Sequence, residues 1–153
     1  MNYSVVKKDI AAQPVLLVRR RIKQSEIAAA LSEMFPQVMV HVLGSEIEIA
    51  GPLFARYADW SDGMTTIEAG VPISNGAAGS GDLIADSLPG GSVAMTIHEG
   101  QYDDLPAAHA AVQQWMKSEG LSPVGAPWES YITDPGQHPD PKDWKTEVYF
   151  PVR

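Results

Sequence analysis

Gly125-Ala126-Pro127-Trp128-Glu129-Ser130-Tyr131 decides the fold, because Gly51-Pro52-Leu53-Phe54-Ala55-Arg56-Tyr57 repeats its spacing. Glycine, a large aromatic and a tyrosine fall at the same offsets in both stretches. Downstream, Glu68 and Pro72 are spaced like Glu147 and Pro151. Glycine and proline recur at strand starts in many proteins, so the order of the surrounding elements has to carry the argument. Upstream of each stretch the apolar residues change period from two to about 3.6, the mark of a strand followed by a helix.

In the first half, Met1 to Lys8 reads as a short strand, and Val15 to Ile22 as a second. Ser25 is the expected N-cap of a helix with Ile27, Ala30, Leu31, Met34, Val38 and Val42 at helical spacing. Pro36 predicts a kink or a break, and Gly44 a C-terminal stop. Strands are expected over Leu53–Ala58 and Thr65–Ile73, with turn chemistry over Asp59–Gly63. In the second half, Leu88-Pro89-Gly90-Gly91 is a turn and Val93–His98 a strand. Asp103 or Asp104 caps a helix with the stripe Leu105, Ala108, Val112, Trp115, Met116, ended by Gly120. Gly125–Ile132 and Trp144–Val152 are strands, separated by a proline-rich loop over Asp134–Asp143.

The pattern is strand, helix, strand, strand, written twice. It predicts a single α+β domain over 1–153, with pseudo-repeats near 3–73 and 82–152 joined by a flexible linker at 74–81. The expected architecture is an antiparallel sheet with two main helices on one face.

The 153 residues carry 11 Lys plus Arg against 19 Asp plus Glu, a net charge of −8. A nucleic-acid surface needs clustered cations, and the only basic cluster, Arg19-Arg20-Arg21 with Lys23, reads as a solvated strand edge. There is no cysteine. That excludes thiolate nucleophiles and Cys-type metal sites, and fits a cytoplasmic location. No run approaches 18 consecutive apolar residues, so neither a membrane span nor a signal peptide is expected. His41, His98, His109 and His138 show no metal-ligand spacing, and no metal is expected. The glycine-rich linker lacks the lysine of a phosphate loop, and no serine sits in a G-x-S-x-G elbow.

Strand alternation sorts side chains into faces. The expected grouping puts Glu129 and Tyr131 with Glu147 and Tyr149 on the face away from the helices. Tyr57 and Glu68 join them from the first half, with Trp60, Tyr102 and Trp144 on nearby loops. Carboxylates beside aromatic rings suit an organic cation: the rings offer their negative faces, and a shielded carboxylate needs a partner charge. Glu and Tyr are also ordinary residues on a solvated sheet face, and spacing alone favours that reading slightly.

Five motifs in order carry a family resemblance: Gly51 to Tyr57, Leu88 to Gly91, His98-Glu99-Gly100-Gln101-Tyr102-Asp103, Trp128-Glu129-Ser130-Tyr131 with Asp134-Pro135, and Trp144 to Val152. Together they resemble the GyrI-like effector-binding domain, the ligand-sensing half of AraC-type and MerR-type multidrug regulators. The resemblance spans about Tyr3 to Val152. It implies a ligand cleft between the repeats and binding of lipophilic, cationic or aromatic small molecules, through a glutamate that maps onto Glu129 with Glu147 as the last-strand glutamate. No cofactor is implied. The fold also resembles haem-binding proteins of the SOUL type, but His98, at a strand end, and His109, in mid-helix, read as structural.

Regulators of this type carry a helix-turn-helix, and no segment remains for one here, so a free-standing binding protein is the leading expectation. The alternative is a hydrolase of reactive xenobiotics, such as cyclopropane compounds, with Glu129 and Tyr57 or Tyr131 as its proton-transfer groups. A third is a protein-binding module of the gyrase-inhibitor kind.

Overall fold

The computed structural model describes residues 3–133 and 136–153. The parts of the expected first strand at Met1 and Asn2, and of the expected motif at Asp134-Pro135, lie outside the described residues.

The chain divides into two compact units. One is Ala12–Pro89; the other joins Met1–Ala11 to Gly90–Arg153. The Ala12–Pro89 unit contains β2 (Gln13–Lys23), α1 (Ile27–Gly44), β3 (Phe54–Ser61), β4 (Met64–Pro72) and β5 (Ile84–Leu88). Its antiparallel strands run in the order β3-β4-β2-β5. The other unit contains β1 (Val6–Ile10), β6 (Gly91–Glu99), α2 (Leu105–Ser118), β7 (Trp128–Tyr131) and β8 (Lys145–Pro151). Its order is β7-β8-β6-β1, again antiparallel. The fold class is α+β, and the strand–helix–strand–strand unit occurs twice.

The two units share one register as well as one order. Phe54 sits opposite Gly70 as Trp128 sits opposite Tyr149; Arg56 opposes Glu68 as Ser130 opposes Glu147. Val15 opposes Pro72 as Val93 opposes Pro151. Gly51 and Gly125 explain themselves here. A Cβ on Gly51 would lie 3.3 Å from Cγ of Pro72, and one on Gly125 3.4 Å from Cγ of Pro151. Each glycine lets the chain entering its strand lie against the proline ring that ends the last strand.

α1 and α2 each cover one face of their own sheet. Ala30, Met34, Val38 and Val42 are buried on α1, and Leu105, Ala108, Val112 and Met116 on α2. The α2 stripe packs on Ala94, Val148, Phe150 and Val152, and each large side chain so buried contributes roughly 1.5–3 kcal/mol. α2 stops at Gly120, whose φ of 70° suits glycine, with the Leu121 amide closing on the Met116 carbonyl.

Several local expectations change. Pro36 lies inside an unbroken α1; one missing amide does not end a helix whose buried stripe holds both halves to the sheet. Ser25 lies in a 3-10 turn, Gln24–Glu26, rather than capping the helix, and Asp104 flanks α2 without a side-chain cap bond. The turn expected over Asp59–Gly63 narrows to Asp62-Gly63, both at positive φ, a two-residue hairpin connection that lets β3 run to Ser61. β5 was not expected at all: Asp86 and Ser87 hide its period, and its pairing to β2 supplies what its composition does not. Gln24–Gly44 is long and apolar enough, by length and composition, to cross a bilayer, contrary to expectation, because only Glu33 in it carries a full charge besides Glu26. Here it packs one stripe on a sheet.

The arginine cluster lies on a solvated strand edge, as expected: β5 pairs with β2 only as far as Leu17, and beyond it β2 pairs with β4 alone. On that edge the three arginines meet three carboxylates: Arg19 with Glu68, Arg20 with Glu33 of α1, Arg21 with Asp59.

Candidate functional site

β7 and β8 pair with Glu129 opposite Val148, Tyr131 opposite Thr146, Trp128 opposite Tyr149 and Ser130 opposite Glu147. Directly opposed residues share a face. Glu129 and Tyr131 therefore lie on the α2 side with Val148, while Glu147 and Tyr149 lie on the other side with Trp128. The expected gathering of both carboxylates and both tyrosines on one face is overturned. Alternation along each strand was right, but the offset between strands was one residue from the assumed value.

On the α2 side, Glu129 is 3% exposed and is met by two donors. His109 Nε2, from α2, donates to Oε2 at 2.6 Å, and the Tyr131 hydroxyl donates to Oε1 at 2.8 Å. Aromatic rings extend from both. Tyr102 lies 5.4 Å from Tyr131 and 4.8 Å from Trp144, centroid to centroid, and the His109 ring meets the edge of Phe150 at 5.5 Å. Trp144 is fixed by its indole N–H on the His138 carbonyl. The expected residues Glu129, Tyr131, Tyr102 and Trp144 thus form one connected group. His109 completes it and was read as merely structural. It lies on the same strip of α2 as Leu105 and Val112, but which strand that strip covers is not written in the helix.

One side chain beside this group is unsatisfied: Thr146 Oγ1 is buried without a hydrogen-bond partner, directly across from both Tyr131 and His98. His98 itself is saturated, with Nε2 donating to the Gln101 carbonyl and Nδ1 meeting the Tyr3 hydroxyl.

On the other face, the Tyr149 hydroxyl donates to Glu147 at 2.8 Å, its ring stacks on Trp128 at 5.1 Å, and Lys8 lies over the ring. Burial, and then the adjacent Glu147 carboxylate, push the Tyr149 phenol well above its ordinary range, so it remains a donor.

Glu68 stands where Glu147 stands, in the other unit, yet its chemistry is spent. It is 2% exposed and holds Arg19 on Oε2 and Arg56 on Oε1. Burial on its own would favour a neutral Arg56, but its bonds and proximity to Glu68 and then Asp86 outweigh that and hold the guanidinium above its usual range. Glu68 is a neutralised structural carboxylate. Tyr57 pairs with Ile67 on the α1 side of its sheet, and Trp60 meets its ring edge-on at 5.7 Å. Tyr57 and Trp60 are thus parted from Glu68 by the sheet.

A recess of about 450 Å³ in the Ala12–Pro89 unit is lined by Arg19, Arg20, Asp82, Gln37 and apolar neighbours. Its arginines are already paired, and it holds none of the expected site residues except through Arg19's partner Glu68. Among the described residues no cluster of His, Asp and Glu is suited to a metal.

A family model described as the GyrI-like small molecule binding domain matches residues 1–153. No curated protein matches. Among solved structures, the EcmrR C-terminal domain is 24% identical with a TM-score of 0.88, covering 100% of this chain and 99% of that one. In the EcmrR–DNA complex the match covers 99% of this chain but 57% of that one. SAV2435 bound to tetraphenylphosphonium is 16% identical, TM-score 0.66, covering 100% and 94%. A hydrolase encoded by lin2189 of Listeria innocua is 14% identical, TM-score 0.64, covering 97% and 91%. At these identities the structures share the fold.

Proposed function

The chain belongs to the GyrI-like small molecule binding domain family, and from that premise we propose that it binds lipophilic organic cations with Glu129 as the counter-charge. The observation that carries this reading is a carboxylate almost wholly removed from water, reached by two hydrogen-bond donors and flanked by a run of aromatic rings. Such a carboxylate gains most from a cation too diffuse to be strongly hydrated, because little solvation is lost on entry. Tyr131, Tyr102 and Trp144 then supply apolar area and ring faces. The tetraphenylphosphonium complex of SAV2435, on the same fold, is consistent with that ligand class. Glu147 and Tyr149, on the far face, do not touch a ligand seated on Glu129 in this reading.

The test is a tryptophan-quenching titration with tetraphenylphosphonium and with neutral triphenylphosphine oxide. We expect micromolar binding of the cation, on the order of −8 kcal/mol, and a loss of about tenfold or more in Glu129→Gln, which keeps shape and hydrogen bonding but removes charge. The neutral compound should barely distinguish the two proteins. Equal affinity for both ligands, or a Glu129→Gln protein that binds the cation normally, overturns the reading.

A second reading is favoured by the same short His109–Glu129 contact. A carboxylate, an imidazole and a phenol within hydrogen-bond reach are a general acid–base set, and a hydrolase shares the fold. Under this reading Glu129→Gln leaves binding of a strained electrophile near normal and lowers its turnover by roughly 10²-fold, followed by mass spectrometry.

A further inference from the structure

We propose that the Thr146 hydroxyl is a second contact for the ligand held by Glu129, and that it selects organic cations carrying a hydrogen-bond acceptor. The inference rests on the cation-binding reading of Glu129 and deepens it by naming a second polar group on the ligand. Thr146 is wholly buried, and its Oγ1 has no hydrogen-bond partner. A buried hydroxyl left unpaired is costly. The other buried threonines avoid that cost: Thr65 donates to the Asp59 carbonyl and Thr96 to the Ser4 carbonyl. The polar residues directly across from Thr146 do not supply a partner. The Tyr131 hydroxyl donates to Glu129, and the two ring nitrogens of His98 meet Tyr3 and Gln101.

The repeat shows that the fold does not require a hydroxyl at this position. Tyr131 opposes Thr146 and Glu129 opposes Val148; the equivalent pairs in the Ala12–Pro89 unit are Tyr57 with Ile67 and Ala55 with Ala69. Ile67 and Ala55 are buried as their counterparts are. The second unit thus puts a threonine in place of an isoleucine and a glutamate in place of an alanine, side by side on the face its helix covers. Thr146 is the diagonal neighbour of Glu129 across the β7–β8 pair, a separation of about 7–8 Å that one small molecule spans. Tyr102, partly exposed, packs on Tyr131 and Trp144, which flank Thr146 across the ladder and along the chain. An aryl ring of the ligand takes the place of the Tyr102 ring like for like, and an acceptor on that ring meets the hydroxyl.

The test uses tetraarylphosphonium cations that carry an acetyl group at the meta or the para position of one ring, each set against its isopropyl counterpart. The members of a pair match in charge and closely in shape, but only the acetyl compound offers an acceptor. The wild type should bind at least one acetyl compound about threefold to tenfold more tightly than its counterpart. In Thr146→Val, which exchanges the hydroxyl for a methyl group, the preference should vanish while binding of the isopropyl compound is unchanged. Thr146→Ser, which keeps the hydroxyl, should retain the preference. Without ligand, Thr146→Val should melt at a higher temperature than the wild type, because the hydroxyl it loses had no partner. Higher stability together with lost selectivity is a result that a merely structural threonine does not give. No acetyl preference in the wild type, a preference retained in Thr146→Val, or a Thr146→Val protein less stable than the wild type overturns the proposal; Glu129-dependent binding of the same cations then leaves the cation-binding reading standing. If none of the phosphonium cations binds, both fall.

Discussion

Arg56 matters more to the Ala12–Pro89 unit than Arg19, although both hold the same carboxylate. The Arg56 side chain is 11% exposed and that of Arg19 47%. Removing a buried partner leaves Glu68 charged and under-compensated where water cannot reach, whereas an exposed partner is replaced in part by solvent. Arg56→Met should therefore cost about 3 kcal/mol in urea unfolding and Arg19→Met about 1 kcal/mol; equal costs would refute the assignment of Arg56 as the principal partner. Asp86 extends the network. Burial alone would raise its carboxyl, but the Ser87 amide and Arg56 outweigh it and hold the group below the ordinary carboxylate range. A pKa lower in the folded than in the unfolded state adds stability above the unfolded value. That contribution is lost as pH falls through the folded one. Asp86→Asn should therefore destabilise the protein near neutrality and flatten the acid limb of its stability profile below about pH 4. An unchanged limb would show that Asp86 does not contribute. Of these residues the sequence displayed Glu68 and the arginines plainly, but not their pairing, since Arg19, Arg56 and Glu68 come from three strands.

Among the elements, β4 is the most tightly framed. A Cβ on Gly70 would meet the Leu16 carbonyl oxygen at 2.3 Å and Leu17 Cβ at 2.8 Å. The obstruction is backbone of a central strand, which yields poorly. Gly70→Ala should cost about 3 kcal/mol or more, whereas Gly125→Ala, facing a proline ring at 3.4 Å, should cost under about 1 kcal/mol. Thermal unfolding of the pair checks the contrast, and similar losses would mean that β2 and β4 adjust. α1 offers the opposite sign. Pro36 is exposed and interrupts the hydrogen-bond ladder of a helix that continues past it. Pro36→Ala should stabilise by about 1–3 kcal/mol, and a loss of stability would show that the proline shapes α1 for packing. Helices and long strands were legible because their apolar periods extend over several turns or pleats. β5 was not, because a five-residue strand with polar residues inside owes its conformation to its neighbour.

For the molecule as a whole, the division into units does not follow the chain. β1 is the first strand in sequence but pairs with β6, and β5 follows the first repeat but pairs with β2. Deleting residues 1–10 should therefore strip amide protection from β6, far along the sequence, and leave β2 and β5 protected. It also removes the Ser4 carbonyl from the Thr96 hydroxyl and the Tyr3 hydroxyl from His98. Hydrogen exchange read by mass spectrometry decides this, and loss centred on β2 would contradict the assignment of β1. By itself the sequence determined the α+β class, the repeated strand–helix–strand–strand order, and the placing of Glu129 and Tyr131 on one face of one strand. All of these follow from periods and spacings within single segments. Tertiary structure alone decided that Glu68 is bound to two arginines, that Glu129 and Glu147 look to opposite faces, and that His109 reaches Glu129. The period of a strand names its two faces, but only the register between strands says which faces coincide, and a shift of one residue exchanges them.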